Sequence, residues 1–482
     1  MNPETGSAGE RAEKPKREPL HRAIVDALIP DFLERRGEEA AYTPDPLDEQ
    51  DHTPPVASPQ MIKRVPGAES VKKNTLEVLL FRGFATPLAL LLVVIQSRVL
   101  QPSGRGAFVL AVLTVTVFSR LLGDLGTATT NRLSSGEEDL GRLTAGALRL
   151  AFGFGLVCSV LIITVGPLAS DIGVEIALFA ALALTPSLVT RTLCGILLGT
   201  ANIRLWNWLQ ITPAVVGFAA FLVLCVAFDF GVRGAVIAWM LGHVTAATIG
   251  MILTRGVWWG GLTKRLPRGS GRALVRLALT MGAANVVTLV NYRIELFILG
   301  HYRDLDEVGI YSISVQVAES LWLITTAFAT AVWAPAIHES EDRAAALIVR
   351  SAGKALLYIS LAAVAIVVVA PFVLPLIFGE KYEDSVRPTQ LLAPGIVLYG
   401  PVAILTIYLS VRRGRALLTL AGPIVSLFVT AALAIMLIPD RGPNGAAIAS
   451  SVGYAVSAVV VWMMFIRVAG LRWHARRSVT TT

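Results

Sequence analysis

Ten charged or amide side chains stand out because they lie inside long apolar stretches of this 482-residue sequence. Arg82, Arg149, Arg191 and Arg276 each sit about one to two helical turns in from the end of an apolar run. A guanidinium fork binds phosphate in bidentate fashion, so four of them at similar depth suit the capture of an anionic diphosphate in a basic pocket. Snorkelling of each long side chain to the headgroup layer accounts for the same positions. Arg120 and Asp124 are four residues apart, close enough to pair on one helical face or to serve a site separately. Glu319 lies ten residues into its run, about 15 Å at 1.5 Å per residue. A charge at that depth costs about 2.5–3.5 kcal/mol, which makes it a candidate for cation coupling or substrate contact, or one member of a buried ion pair. Asn285, Asn291 and Arg293 give one stretch a polar face that can line a hydrated path and meet sugar hydroxyls, or bind neighbouring helices.

The elements that position these residues follow from composition. Apolar residues make up 54% of the chain and charged residues only 16%, with mean hydropathy +0.64. A water-soluble domain carries about 25% charge, so this excess of apolar surface must face lipid. A formal charge of +8 reports membrane topology here rather than nucleic-acid binding. Cys158, Cys194 and Cys225 lie in apolar runs without a disulfide spacing, and the six histidines show no metal-ligand spacing.

Residues 1–75 are hydrophilic and Pro-rich, with an amphipathic helix expected over 20–36 and a linker over 41–60. That helix can be transient, or can dock on the membrane surface or a partner enzyme. From residue 76 onward, apolar runs long enough to cross a bilayer alternate with short polar loops. Twelve spans are expected, near 76–99, 107–128, 143–167, 173–198, 207–228, 232–254, 273–299, 309–336, 352–378, 389–411, 416–438 and 445–469. Lys and Arg concentrate in one alternate set of loops, including Lys72, Lys73, Arg142, Arg204, Lys264, Arg265, Arg350 and Arg412. The positive-inside rule puts those loops and both termini in the cytoplasm, in agreement with an even span number.

The second half of the apolar region repeats the first. The segment beginning Gly231-Val-Arg-Gly234 matches Gly442-Pro-Asn-Gly445 at an offset of 211, and Gly106-Ala-Phe108 matches Gly309-Ile-Tyr311 at 203. Pro167 and Pro186 meet Pro375 and Pro394 at 208, and Pro213 meets Pro423 at 210. The organisation expected is therefore a tail over 1–75, an N-lobe over 76–254, a linker over 255–272, a C-lobe over 273–469 and a basic tail over 470–482. Each lobe has six helices. Six spans per lobe give the repeats the same orientation, related by an axis along the membrane normal. Such repeats commonly flank a central site that opens to each side in turn.

Four stretches resemble the oligosaccharide (O-antigen, Wzx-type) flippases of the multidrug/oligosaccharidyl-lipid/polysaccharide exporter superfamily. They are Ser97–Phe108, Leu122–Ala128, Ile294–Gly300 followed by Val308–Tyr311, and Pro375–Tyr382. Glu295 stands where the family often has Asp, and Gln101 where it often has Gly. The resemblance implies an all-α polytopic fold like that of the multidrug exporters. It also implies movement of a polyprenyl-diphosphate-linked oligosaccharide from the cytoplasmic to the outer leaflet of the plasma membrane. Its partners would be that lipid-linked glycan, membrane lipids and glycan-assembly glycosyltransferases or a polymerase.

No cofactor is expected: Ser351-Ala-Gly-Lys354 lacks the glycine spacing of a phosphate-binding loop, so no ATP site is encoded, and coupling would be to a cation or proton. No nucleophile elbow or zinc motif appears, so the chain does not read as an enzyme. Two alternatives remain at this stage. A small-molecule exporter of the same superfamily predicts a more acidic cavity, and a membrane scaffold recruiting glycan-assembly enzymes predicts that residues 20–36 carry the function. Trp206, Trp208, Trp258 and Trp259 fall where an interfacial aromatic belt is expected, and Gly195-x-x-x-Gly199 permits close helix contact.

Overall fold

A computed structural model describes residues 68–134, 139–169, 173–267, 269–412 and 416–470, and side chains from residue 87 onward. The expected helix over 20–36, the linker over 41–60 and nearly all of the basic tail lie outside the described residues. So does the side chain of Arg82.

Among the described residues the structure is helical, with no strand. In a bilayer each segment must satisfy its own backbone polar groups, and helices of all-round apolar character do so. The first half comprises α1 (Ala68–Leu121), α2 (Leu125–Ser134), α3 (Leu140–Ala169), α4 (Val174–Gly199), α5 (Ile203–Phe221, extended by a π-turn to Ala227) and α6 (Gly231–Leu253). The connecting segment holds the short α7 (Arg255–Trp258) and a 3₁₀ turn. The second half comprises α8 (Ser270–Asn291), α9 (Ile294–Tyr302), α10 (Leu305–Ser320), α11 (Trp322–His338), α12 (Glu341–Phe378), α13 (Val386–Tyr399), α14 (Val402–Ile407) and α15 (Ala421–Val468).

Among the described residues ten helical stretches are long and apolar enough to cross a membrane, two fewer than the spans expected. The difference arises in the first and last of them, which run for 47 and 52 residues where about 20 suffice. The helices that carry them, α1 and α15, each contain one residue with non-helical backbone, Gln101 and Gly442. The last folds back on itself. A Cβ at Gly445 would collide with the Leu437 carbonyl, whereas eight residues along one continuous helix span about 12 Å. Gly453 likewise lies against Thr430, and Gly422 against Ser457. Gly442 has φ +49, and its repeat mate Gly231 has φ +55, so the matched glycines both take a positive φ that suits glycine.

Gln101 explains a departure noted in the sequence. Its φ of 59 and ψ of 174 fall in a region that essentially only glycine occupies without strain. Its side-chain amide donates to the Arg98 carbonyl at 2.6 Å, a local bond that helps hold the turn.

Helices of each half pack mainly on one another, α5 on α6 and α3 on α4 in the first, α13 on α15 in the second. The halves meet where α1 crosses α10. There Gly106 lies against the Leu305 carbonyl and Gly309 against the Pro102 carbonyl. Gly106 and Gly309 are repeat mates at offset 203, and so are Pro102 and Leu305. The contact therefore exchanges identical positions of the two halves, as a two-fold axis through it requires. Around it the Arg105 Nε donates to Ser312 Oγ (2.9 Å), Tyr382 donates to the Ser97 carbonyl (3.2 Å), and Arg98 donates to the carbonyls of Leu376 and Ile377. Beside this seam Glu307 hydrogen-bonds Arg303 and holds its guanidinium pKa above the ordinary value.

Candidate functional site

The polar residues of the first half gather around a cavity of about 460 Å³ between α1, α4, α5 and α6. Both sides of the Gln101 break reach it, Gln96 from one and Ser119 and Arg120 from the other. Arg191 enters from α4 and His243 from α6, with Trp239 edge-on to the imidazole at 4.8 Å. Its lining includes no carboxylate. The Nε atoms of Arg120 and Arg191 are buried without a hydrogen-bond partner, as is His243 Nδ1. Close approach of Arg191 to the backbone requires Gly123, because a Cβ there would strike the Arg191 Nε. The result is a cluster of donors, two of them permanently charged, held in a low-dielectric site with room for a ligand. It can bind an anion with planar, paired oxygens.

Asp124 lies within electrostatic reach of Arg191 but makes no ion pair with the cluster. Although four residues from Arg120, it accepts instead from Asn285 Nδ2 of α8 at 2.6 Å, a bond between the halves. Gly282 lies against the carbonyls of Arg120 and Leu121 just beside it. Arg120 and Asp124 form no ion pair.

In the second half the expected residues are brought together differently. Arg293, just before α9, grips both oxygens of Glu319 at 2.5 and 2.6 Å and also donates to the Tyr292 carbonyl. Their side chains are 25% and 15% exposed, so Glu319 is a largely buried ion-pair partner rather than a free carboxylate. Next to the pair, Tyr292, Trp322, Tyr399 and Tyr454 contact one another with ring centroids 5.4–6.1 Å apart. The Tyr292 and Tyr399 hydroxyls are 2.8 Å apart. Glu295 is fully buried beneath this cluster, with the Tyr311 hydroxyl at 3.5 Å as donor. Asn291 is fully buried too, and both atoms of its amide lack a partner.

The remaining arginines separate. Arg149 is exposed and donates to the carbonyls of Leu262 and Lys264, so it ties α3 to the connecting segment. Arg276 is exposed on α8. Sequence depth alone could not distinguish these from Arg191, because all three lie a similar distance from a helix end. Residues passed over in the sequence are Gln96, Gln210 and His243 in the cavity and Arg105 at the seam. A histidine in the middle of an apolar span is the signal that could have found His243, and weighing histidines only as metal ligands hid it.

The fold is shared with solved membrane transporters. An inward-facing multidrug resistance MATE family transporter of the MOP superfamily superposes with TM-score 0.65 at 15% identity, over 78% of this chain and 94% of that one. The lipid II flippase MurJ in an inward closed conformation gives 0.64 at 12% identity, over 80% and 87%. A MOP superfamily transporter from Pyrococcus furiosus, described as having a binding pocket of reverse polarity, gives 0.53 at 18% identity, over 81% and 94%. No curated protein sequence matches the chain. The family described as "Polysaccharide biosynthesis protein" matches residues 71–341, more than half of the sequence. With helices long and apolar enough to make it a multi-pass membrane protein, the chain belongs to the polysaccharide biosynthesis protein family, on the fold of the MOP-superfamily transporters.

Proposed function

We propose that this protein moves a polyprenyl-diphosphate-linked oligosaccharide or polysaccharide precursor from the cytoplasmic to the outer leaflet of the plasma membrane. The observation that carries the reading is the pair of half-buried arginines, Arg120 and Arg191, whose buried Nε atoms lack a hydrogen-bond partner in a cavity lined by no carboxylate. Cations kept in such a place without an ion pair are costly, and an anionic ligand that completes them explains their retention. The diphosphate would sit between Arg120 and Arg191 while the polyprenyl tail stays in lipid. An exporter of cationic small molecules would need acids in its cavity, whereas Glu319 is paired with Arg293 and no carboxylate lines the arginine cavity.

The two arms of α15, and those of α1 on either side of Gln101, each count as one crossing in this reading. That brings the total to twelve and places both termini in the cytoplasm. The halves then correspond to the lobes over 76–254 and 273–469, and they rock about the Gly106–Gly309 contact to open the cavity to each side in turn. An inside-negative potential drives an anion outward at about 2.3 kcal/mol per charge per 100 mV. A proton or cation exchanging at Asp124, with release of Asn285, or at Glu319 would couple the return.

The test is transport of a fluorescent polyprenyl diphosphate oligosaccharide in proteoliposomes. Arg120→Ala and Arg191→Ala should each abolish transport at wild-type protein levels, and Arg191→Lys should recover little of it. Unchanged transport in both alanine variants would refute the anion site. Asp124→Asn should retain binding but remove any dependence of transport on the ion gradient.

A further inference from the structure

A second concavity, of about 320 Å³, lies in the other half between α11 and α14, and its chemistry is the reverse of the arginine cavity. Thr326, Thr330 and Trp333 occupy one face of α11 at helical spacing. Opposite them are Ala403, Thr406 and Ser410, the last in the π-turn that follows α14. On the α14 stretch these three are the less buried positions, their neighbours Ile404, Leu405, Ile407, Tyr408 and Leu409 being buried. Trp333 is 48% exposed. The groove lies on a face of α11 away from α12, because Thr325 turns toward Ile359 of α12 where both meet Gly400, and Phe328 stacks on Tyr358.

The hydroxyls are already committed as donors. Thr326 donates to the Trp322 carbonyl (2.9 Å), Thr330 to Thr326 (2.8 Å), Thr406 to Ala403 (3.0 Å) and Ser410 to Thr406 (2.6 Å). With those bonds kept, each oxygen still offers the groove its lone pairs. The lining carries no charged side chain, so it offers a phosphate no countercharge. It suits a ring that has hydroxyl donors on its edge and C–H groups on its face, and the volume falls within the roughly 300–1,000 Å³ range of small-ligand pockets.

The first half shows that such a groove is not imposed by the fold. At the 208-residue offset set by Pro186 and Pro394, Ala403 corresponds to Gly195 and Ile407 to Gly199. Those glycines close the seam between α4 and α2: Gly195 lies against Gly126 and Thr127, and Gly199 against Thr130. Ala403 and Ile407 hold the corresponding helices apart.

We infer that the groove bounded by Thr326, Thr330, Trp333, Thr406 and Ser410 seats a hexose ring of the glycan head, while the arginine cavity of the other half takes the diphosphate. The inference rests on the transport reading above and assigns its sugar-recognising residues.

Binding to the full-length protein in nanodiscs is measured with two probes, polyprenyl diphosphate carrying a hexose-containing oligosaccharide and the same lipid diphosphate without sugar. Trp333→Ala should weaken the glycosylated probe roughly tenfold and leave the bare one within about twofold, as loss of a buried aromatic anchor does. Thr326→Val with Thr330→Val should weaken the glycosylated probe by about threefold, and Trp333→Phe should recover part of the loss. Equal losses for both probes, or none for either, would overturn the sugar seat and leave Trp333 an interfacial anchor. Failure of the diphosphate reading appears separately, as bare-probe binding that Arg191→Ala does not change. Wild-type protein that binds neither probe removes both readings.

Discussion

The two halves share a helix plan and have filled the same interior space in opposite ways. Arg191 and His243 line the open cavity of the first half. At offsets of 208 and 211 their counterparts are Tyr399 and Tyr454, whose rings touch at 5.4 Å and occupy the corresponding space in the second. The first half leaves the Nε atoms of Arg120 and Arg191 without partners, whereas the second clamps Arg293 on Glu319. Toward the far ends of α4 and α14 the contrast inverts, with a glycine-sealed seam in the first half and an open hydroxyl groove in the second. The two halves thus keep one helix plan, while side-chain volume and charge compensation decide where a polar cavity is left open. On the transport reading proposed above, stability and binding would be divided between the repeats.

Several substitutions would break that contrast. The largest effect is expected from Arg191→Tyr, which gives the first half the residue of the second. It should fill the cavity, reduce transport in proteoliposomes at least a hundredfold, and leave the melting temperature equal or higher, because a buried unpaired cation is removed. A fall in melting temperature would mean that Arg191 holds the fold together.

Next in size, Glu319→Gln should strand Arg293 and cost about 3 kcal/mol of stability, read as a lower melting temperature in detergent. The double change of Arg293→Met with Glu319→Leu should restore most of it, since well-packed apolar residues replace such a pair at little cost. If transport instead fell with stability intact, Glu319 would be a coupling residue and the two halves would share the ligand's charge.

Gly309→Val comes third, because a side chain there meets the Pro102 backbone across the seam. Gly106→Val should behave alike, and cysteine pairs flanking the contact should cross-link less readily in either variant. Unequal effects would show that the seam is symmetric in position only. Smallest is Gln101→Gly, expected to stabilise by about 1 kcal/mol, as relief of strain outweighs the lost side-chain bond and the added freedom of the unfolded chain.

Much of the architecture was legible in the sequence, because hydropathy, Gly and Pro act locally and the repeat offsets mark equivalent turns. The resemblance through Ser97–Phe108 and Ile294–Tyr311 pointed to the family, and it now bears structural meaning as the seam between halves. The residues inside were less legible, for a physical reason. Glu319 on α10 and Arg293 in the turn before α9 are 26 residues apart, and Asp124 and Asn285 are 161 apart. Periodicity places a residue on a face but does not say which helix that face meets. Arg149 and Arg191 have the same chemistry and similar depth, yet one caps the carbonyls of a connecting loop and the other borders a cavity. Gln101 shows the converse: a motif departure that reads as neutral in sequence carries a backbone conformation that glycine would adopt freely.

The reciprocal contact of Gly106 with Leu305 and of Gly309 with Pro102 has the geometry of an isologous dimer interface, in which one patch meets a copy of itself. A single six-helix unit carrying this turn would be self-complementary there, needing only two glycines and two bare carbonyls. Such a patch demands no matched set of side chains, so two halves joined through it can differ in their interiors and still keep the contact.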